Sequence, residues 1–215
     1  MRRANLGTLA VLCAIFQTGA FAQSGTPPKA AIDITAEQVQ AVLNHTPAST
    51  DRQLRIVDMG TYQLAVGVVH RGPTGGNTAG AGGGGTNPGA AAPFNCGETG
   101  GVNTDINGLY HDATAETYVI TSGSGTLVTG GHIVNGRRSA PDNQVTTILN
   151  GPSCSGLIAG ADVVRRVVKT GDIVIIPAKV PHGWTDIADH VTYLSVRPDP
   201  QKVLQSGYVH PAIKK

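Results

Sequence analysis

Hydrophobic and polar residues alternate in short runs along most of this 215-residue chain, and this period-two pattern predicts strands. The runs are rich in β-branched residues, and Gly, Pro, Asn and Asp separate them. The predicted strands lie at 52–59, 62–71, 116–121, 125–134, 144–149, 163–169, 172–177, 183–187 and 191–197. Such a series without alternating helices is typical of a sandwich or closed barrel, so we expect one all-β domain at 52–200, followed by a tail at 201–215.

One helix should precede the strands. Thr35 and Gln38 are spaced as a capping box, in which each side chain accepts from the backbone N–H of the other residue. The apolar residues that follow share one helical face: Val39, Val42 and Leu43. We expect a short helix that ends before Pro47, within an N-terminal segment at 23–51.

A glycine-rich stretch at 72–101 interrupts the strand pattern. Phe94 and Cys96 are its residues best suited to burial, so the segment has little apolar surface to offset the entropy of ordering. We expect a long flexible insertion, with a lid over the barrel as the alternative. A phosphate-binding loop would need a Gly-Lys-Ser/Thr ending and a following apolar helix, and neither is present in the sequence.

The first 22 residues have the three parts of a secretory signal peptide. Arg2 and Arg3 precede an uncharged apolar run, and small residues surround Phe21 before Gln23. Cleavage after Ala22 would give an exported protein, periplasmic or secreted, without a membrane anchor. A membrane anchor or core helix at this position is the competing interpretation.

Charge and cysteine usage narrow the classes of partner. Beyond residue 22 the chain has equal numbers of basic and acidic residues, so no charged field suggests nucleic acid as a partner. Two cysteines also remain, Cys96 and Cys154, and an even number in an exported protein favours a disulfide over two free buried thiols. A disulfide would exclude catalytic cysteine chemistry.

Two segments offer candidate metal ligands. His111 and Glu116 lie in the first and His182 in the second, and two imidazoles with one carboxylate are suitable ligands for a divalent transition metal. His111 and Glu116 are an odd number of positions apart, so a turn at 112–115 is needed to bring both inward. Tyr118 then shares the face of Glu116 and is the candidate proton-transfer residue.

In the second segment, a strand beginning after Gly171 leads to a turn braced by Pro177 and Pro181, and the turn presents His182. Trp184 alternates onto the face of His182. It is a candidate wall of the same cavity, although an ordinary core tryptophan fits the pattern equally well.

These two segments resemble the paired motifs of the cupin superfamily. His111 corresponds to the second histidine of the first cupin motif, Glu116 to its glutamate, and His182 to the histidine of the second motif. Three positions depart from the cupin pattern: Leu109 replaces the leading histidine, Lys179 a glycine and Asp186 an asparagine. The resemblance implies a jelly-roll β-barrel with a metal, Fe, Mn, Ni or Zn, held by His111, Glu116 and His182.

The resemblance leaves two classes of function open. One is a metal-dependent oxygenase, lyase or isomerase that acts on a small organic substrate; the other is a non-catalytic module that binds a small ligand. His70, which ends an inward strand face, is a candidate replacement for the missing ligand. Homodimers are common in this superfamily, and residues 203–209 are a candidate contact segment.

Overall fold

The computed structural model describes residues 26–74 and 94–213. The predicted signal peptide and most of the glycine-rich insertion therefore lie outside the described residues. Within the described ranges, no helix is both long and apolar enough to cross a membrane.

The described residues form ten strands, one α-helix and one short π-helix. Helix α1 (Ala36–Leu43) begins with the predicted capping box: Thr35 Oγ1 accepts from the N–H of Gln38 at 3.3 Å, and Gln38 Oε1 accepts from the N–H of Thr35 at 3.2 Å. The strands are β1 (Asp51–Asp58), β2 (Gln63–Arg71), β3 (Asn107–His111), β4 (Glu116–Thr129), β5 (His132–Arg138), β6 (Ser153–Ala159), β7 (Val164–Lys169), β8 (Ile173–Ile176), β9 (His182–Thr185) and β10 (Val191–Asp199).

The strands form two antiparallel sheets that share β4. The first sheet has the order β1-β2-β10-β4-β8, and the second has the order β7-β4-β9-β3-β6-β5. Strand β4 pairs with β8 through Glu116–Val119 and with β7 through Ser124–Thr129, so it passes from one sheet to the other. This arrangement confirms the predicted all-β jelly-roll barrel.

Apolar residues fill the barrel and also cover part of its outside. The interior cluster is built around Tyr118, Trp184 and Tyr193, with β-branched and leucine side chains. Outside the first sheet, Val42 of α1 packs with Leu54, Val68 and Ile213, so the helix and the C-terminal segment together cover this face.

The predicted strand at 144–149 is wrong, because this segment winds into a five-residue π-helix, Val145–Leu149. Asn143 explains the difference. Its side-chain Oδ1 accepts from the N–H of Val145, and its carbonyl accepts from the N–H groups of Thr146 and Thr147, each at 2.9 Å. Local hydrogen bonds of this kind compete with strand pairing.

The predicted boundary inside β4 is also wrong. Gly123-Ser124-Gly125 is not a turn between two strands, because β4 continues through these residues; Gly123 has a φ of 75° where the strand changes sheets. The turn comes later, at Gly130 and Gly131, with φ values of 85° and 68°. Two further strands, β3 and β6, were not predicted, since each is short and contains glycine.

The end of the glycine-rich insertion is attached to β5 and β6. Cys96 and Cys154 form the predicted disulfide, with Cα atoms 6.1 Å apart. Backbone hydrogen bonds also join Glu98 to Ile133 and Asn135. Phe94, expected to be buried, is instead 44% exposed and lies beneath the guanidinium of Arg137.

Candidate metal centre

Three side chains from three strands meet inside the barrel. His111 ends β3, Glu116 begins β4 and His182 begins β9. The Oε2 atom of Glu116 lies 3.2 Å from Nε2 of His111 and 3.0 Å from Nε2 of His182. Within residues 26–74 and 94–213, this is the one group of three or more His, Cys, Asp or Glu side chains close enough to share a metal ion.

The bend after His111 brings the first two side chains together. His111 belongs to the second sheet, whereas Glu116 pairs with β8 in the first, so the bend at 112–115 carries the chain across the barrel. Both side chains therefore point inward despite their odd spacing, as the strand parity required. All three side chains are at most 4% exposed.

Two observations identify the fold: the order of the strands, and the contact between the segment with His111 and Glu116 and the segment with His182. Two antiparallel sheets share one strand, and the histidine of the second segment lies against the histidine and glutamate of the first. The fold is that of the cupin superfamily. The resemblance stated from the sequence is thereby confirmed for the fold.

Comparison by sequence finds no matching family model and no matching curated protein. Solved structures do match: BH2720 from Bacillus halodurans is 14% identical, with 86% of this chain and 93% of that chain covered and a TM-score of 0.39. Oxalate oxidase in complex with glycolate is 16% identical, with coverages of 73% and 54% and a TM-score of 0.34.

A structure of DMSP lyases is 14% identical, and the match covers 62% of this chain, with a TM-score of 0.29. The match spans only 37% of that chain. All three likenesses are distant, and the assignment of the cupin fold depends on the strand order itself.

Glu116 is held ionised by its neighbours. Its Oε2 accepts a hydrogen bond from the Tyr118 hydroxyl at 2.7 Å, and its Oε1 accepts from Ser195 Oγ at 3.0 Å and from Arg197 Nε at 2.6 Å. Burial acts to raise the pKa of Glu116, but the His111 and Arg197 charges and the histidine hydrogen bonds hold it well below its usual range. The site therefore contains a buried carboxylate.

The histidine nitrogens leave a position for a cation. Nδ1 of His182 lies 3.0 Å from the carbonyl oxygen of Val180, and a carbonyl only accepts, so Nδ1 carries the hydrogen. Nε2 is then the ring atom that faces the Glu116 carboxylate, 3.0 Å away. An imidazole nitrogen and a carboxylate oxygen at this distance share a cation, either a proton or a metal ion.

His111 supports the same conclusion. Burial lowers the pKa of His111, although Glu116 acts in the opposite direction, and the neutral imidazole is the form that binds metals. Among the described residues its buried Nδ1 has no hydrogen-bond partner, and its Nε2 is the nitrogen that faces Glu116.

The separations of the donor atoms suit a transition metal. Protein ligands lie about 2.0–2.2 Å from a zinc ion, so two ligands at a near-right angle are about 3 Å apart. The observed separations of 3.0 and 3.2 Å match that value. A divalent transition metal therefore fits these residues, and two imidazoles with one carboxylate do not select between Fe, Mn, Ni and Zn.

Tyr118 lies beside Glu116 and His182, and Trp184 packs against Tyr118. Burial, and then the negative charge of Glu116, raise the pKa of Tyr118 well above its usual value, so its hydroxyl stays protonated. The Tyr118 ring lies 4.2 Å from Tyr193 and 6.4 Å from Trp184, between ring centroids. Trp184 belongs to the packed interior, so the core interpretation describes it better than a cavity wall.

The departures from the cupin motifs have structural explanations. Leu109 is buried directly opposite His182 in the β3–β9 pair. Lys179 and Asp186 stand where the motif has glycine and asparagine, and both have left-handed backbone, with φ values of 66° and 53°. Glycine and asparagine adopt that conformation more readily than lysine, so the residue types of the motif suit the backbone observed here.

His70 does not replace the missing ligand. Its Nδ1 lies 2.8 Å from the hydroxyl of Thr192, and its ring stacks on His190 at the other end of β10 from Arg197. His132 and His190 contact Glu98 and Asp189, respectively. These histidines are therefore apart from the three candidate ligands.

Sequence analysis missed the residues that surround Oε1 of Glu116. Ser195 and Arg197 lie on β10, and the inward face of this strand is buried: Tyr193, Ser195, Arg197 and Asp199. The signal was present, since alternation from Tyr193 places an arginine on the inward face. A buried charge at such a position requires a partner of opposite charge.

A surface cavity of about 530 Å³ lies near the loops that carry two of the ligands. Its wall is formed by Tyr110, Asp112, Ala113, Arg138, Lys179 and Gln201. None of these residues is one of the three candidate ligands. Arg138 and Asp112 form an ion pair across it at 2.7 Å.

Proposed function

We propose that this chain is an exported metalloenzyme with a cupin barrel, in which His111, Glu116 and His182 hold a divalent transition metal and a small organic molecule is the substrate. One observation carries the proposal. Nε2 of His111 and Nε2 of His182 converge on one oxygen of Glu116, at 3.2 and 3.0 Å, in a site that is buried from solvent.

When bound, the metal would polarise a carbonyl or carboxylate group of the substrate or support dioxygen chemistry, as in an oxygenase, lyase or isomerase. The chain's own residues supply the rest of the site. The two histidines and Glu116 give three ligand atoms, so positions remain for the substrate or a small co-substrate. The interior aromatic cluster adjoins the site through Tyr118.

Tyr118 is the proposed proton donor. Its hydroxyl lies 2.7 Å from the ligand oxygen of Glu116, which places it beside any group bound there. The raised pKa keeps the phenol protonated at neutral pH, so its hydroxyl has a hydrogen to donate to a group bound beside Glu116.

Export is part of the proposal. It is supported by the signal-like residues 1–22 and by the disulfide between Cys96 and Cys154, a bond that persists in oxidising compartments. We place the mature protein in the periplasm or outside the cell.

Metal analysis tests the proposal directly. Protein comprising residues 23–215 is purified without chelator, and its metal content is measured by inductively coupled plasma mass spectrometry. We expect near-stoichiometric transition metal, lost in His111→Ala and in His182→Ala. His132→Ala is the matched control, because it removes a half-exposed imidazole that contacts Glu98 instead.

Protein that stays metal-free after incubation with Fe(II), Mn(II), Ni(II) and Zn(II) would contradict the metalloenzyme. A non-catalytic ligand-binding module is the second candidate. The complete hydrogen bonding of Glu116 by Tyr118, Ser195 and Arg197 favours it, since this network holds the carboxylate without a metal. Such a module would be stabilised by a small ligand and leave it chemically unchanged.

The proposed homodimer has a separate test in the molar mass of the mature protein by light scattering. Residues 203–209 pack on the same chain, where Tyr208 accepts from the N–H of Ile56 at 2.9 Å. Any dimer contact by this segment would therefore use its outer side.

A further inference from the structure

We propose that Ser195 and Arg197 are positioning residues that hold Oε1 of Glu116, so that Glu116 binds the metal through Oε2 alone. The inference rests on the proposed metal site and adds to it the denticity of the carboxylate. It concerns contacts that the cupin motifs do not contain, because both residues lie on β10, beyond the second motif.

The two oxygens of Glu116 have different surroundings. Oε1 accepts hydrogen bonds from Ser195 Oγ at 3.0 Å and Arg197 Nε at 2.6 Å. Oε2 accepts from the Tyr118 hydroxyl at 2.7 Å and faces the Nε2 atoms of both histidines. The carboxylate plane is thereby fixed with one oxygen toward the donors on β10 and the other toward the metal position.

Arg197 is itself held in place on all sides. Its Nη2 donates to Oδ2 of Asp51 at 2.6 Å, and its Nη1 lies within hydrogen-bond distance of the Leu149 carbonyl at 3.2 Å and of Gln53 Oε1 at 3.4 Å. The side chain is 2% exposed. A guanidinium with this many partners cannot turn away from Glu116 without leaving a buried charge unpaired.

The backbone next to Arg197 is shaped for this guanidinium. Gly67 lies opposite Ser195 in the β2–β10 pair, and a Cβ atom there would meet Nη1 of Arg197 at 3.2 Å. That distance is shorter than ordinary van der Waals contact. Absence of a side chain at position 67 therefore leaves the room that the planar group needs.

Denticity matters because a carboxylate can bind a metal through one oxygen or two. Charge-assisted hydrogen bonds are among the strongest that a carboxylate accepts, and here one of them, from Arg197, engages Oε1 together with the Ser195 hydroxyl. Turning the carboxylate to chelate with both oxygens would weaken both bonds. One-oxygen binding keeps an additional coordination position for the substrate.

The test combines infrared spectroscopy with metal affinity. Protein labelled with ¹³C-glutamate is measured with and without Zn(II), and the Glu116 bands are identified by their loss in Glu116→Gln. The separation of the antisymmetric and symmetric carboxylate stretches is larger for one-oxygen than for two-oxygen binding. The Zn(II) dissociation constant is measured by competition with a chromophoric chelator.

We expect one-oxygen binding in the unaltered protein. In Ser195→Ala and in Arg197→Lys the separation should decrease, and Zn(II) should bind about 10–100-fold more weakly, as is typical when groups that orient a ligand are removed. Thr192→Val is the control, since it removes a buried hydroxyl on the same strand that contacts His70 instead of Glu116. This control should retain both bands and affinity.

The outcomes separate the two proposals. No binding of Zn(II), Fe(II), Mn(II) or Ni(II) by the unaltered protein would overturn the proposed function and this inference with it. Binding of Zn(II) with a two-oxygen spectrum, or with bands and affinity unchanged in the folded variants, would overturn this inference alone. If Arg197→Lys does not fold, Ser195→Ala decides the result, because it removes one hydroxyl and leaves every charge in place.

Discussion

Leu109 lies directly opposite His182 across the antiparallel β3–β9 pair. It shares the inward face of β3 with His111, and both side chains are buried. The position from which a cupin would supply its leading histidine is therefore present and adjacent to the other ligands, but it carries an alkyl group. The side chain at position 109 therefore explains why the site has three candidate ligands and not four.

Leu109→His should restore a fourth ligand. We expect Zn(II) to bind at least about tenfold more tightly, given that even indirect support of a ligand changes affinity about 10–100-fold. Competition with a chelator measures the change. Tyr110→His is the control, since the neighbouring side chain is on the opposite face of β3, and equal gains in both variants would refute the assignment.

Glu116→Ala should strongly destabilise the metal-free protein. Arg197 would keep a buried charge with Asp51 as its remaining anionic partner, and removing one member of a buried ion pair costs about 3–5 kcal/mol. Denaturant unfolding measures the loss. Asp112→Ala is the control, because it breaks an ion pair of similar length between two side chains that are 33–44% exposed. This substitution should cost less than about 1 kcal/mol of stability.

Loss of the disulfide should lower stability substantially. Cys96 and Cys154 close a loop with a sequence separation of 58, for which the chain-entropy estimate is about 4 kcal/mol. The double variant Cys96→Ala/Cys154→Ala should show this loss in denaturant unfolding. Dithiothreitol should lower the stability of the unaltered protein to that of the double variant and leave the stability of the double variant unchanged. An equal effect on both proteins would show that the reductant acts elsewhere.

Stability should fall as the pH falls below the ordinary histidine range, and His210 should contribute. Burial, then His45 and Arg52, lower the pKa of His210, and its Nδ1 accepts from the N–H of Ala212 at 3.1 Å. As the pH falls, His210 therefore binds a proton in the unfolded chain before it does so in the folded protein, beginning at about pH 6.5. The free energy of unfolding decreases from that pH down to the folded-state pKa of His210 and does not decrease further below it.

His210→Gln should reduce this dependence. The free energy of unfolding, measured between pH 7.5 and pH 5, should decrease less in the variant than in the unaltered protein. His132→Gln is the control, because its half-exposed side chain contacts Glu98 on the surface. Identical pH dependence in His210→Gln and the unaltered protein would contradict the role given to His210.

The local parts of the fold could be predicted because their causes are local. The capping box of α1 and the inward parity of Glu116 and Tyr118 depend on residues a few positions apart. The strand predicted at 144–149 was wrong for an equally local reason, since Asn143 gathers the N–H groups that follow it. The hydrogen bonds of Asn143 therefore outweighed the preference of the β-branched residues in this segment for a strand.

By itself, the sequence determined the class of fold, the three candidate ligands, the facing of Tyr118 and the pairing of the two cysteines beyond residue 22. Tertiary structure decided which side chains approach one another from distant strands. It placed Leu109 against His182, moved His70 away from the ligands and brought Arg197 to Glu116. Periodicity fixes the face of a strand on which a residue lies, whereas sheet order and the path of β4 between sheets fix what that residue meets.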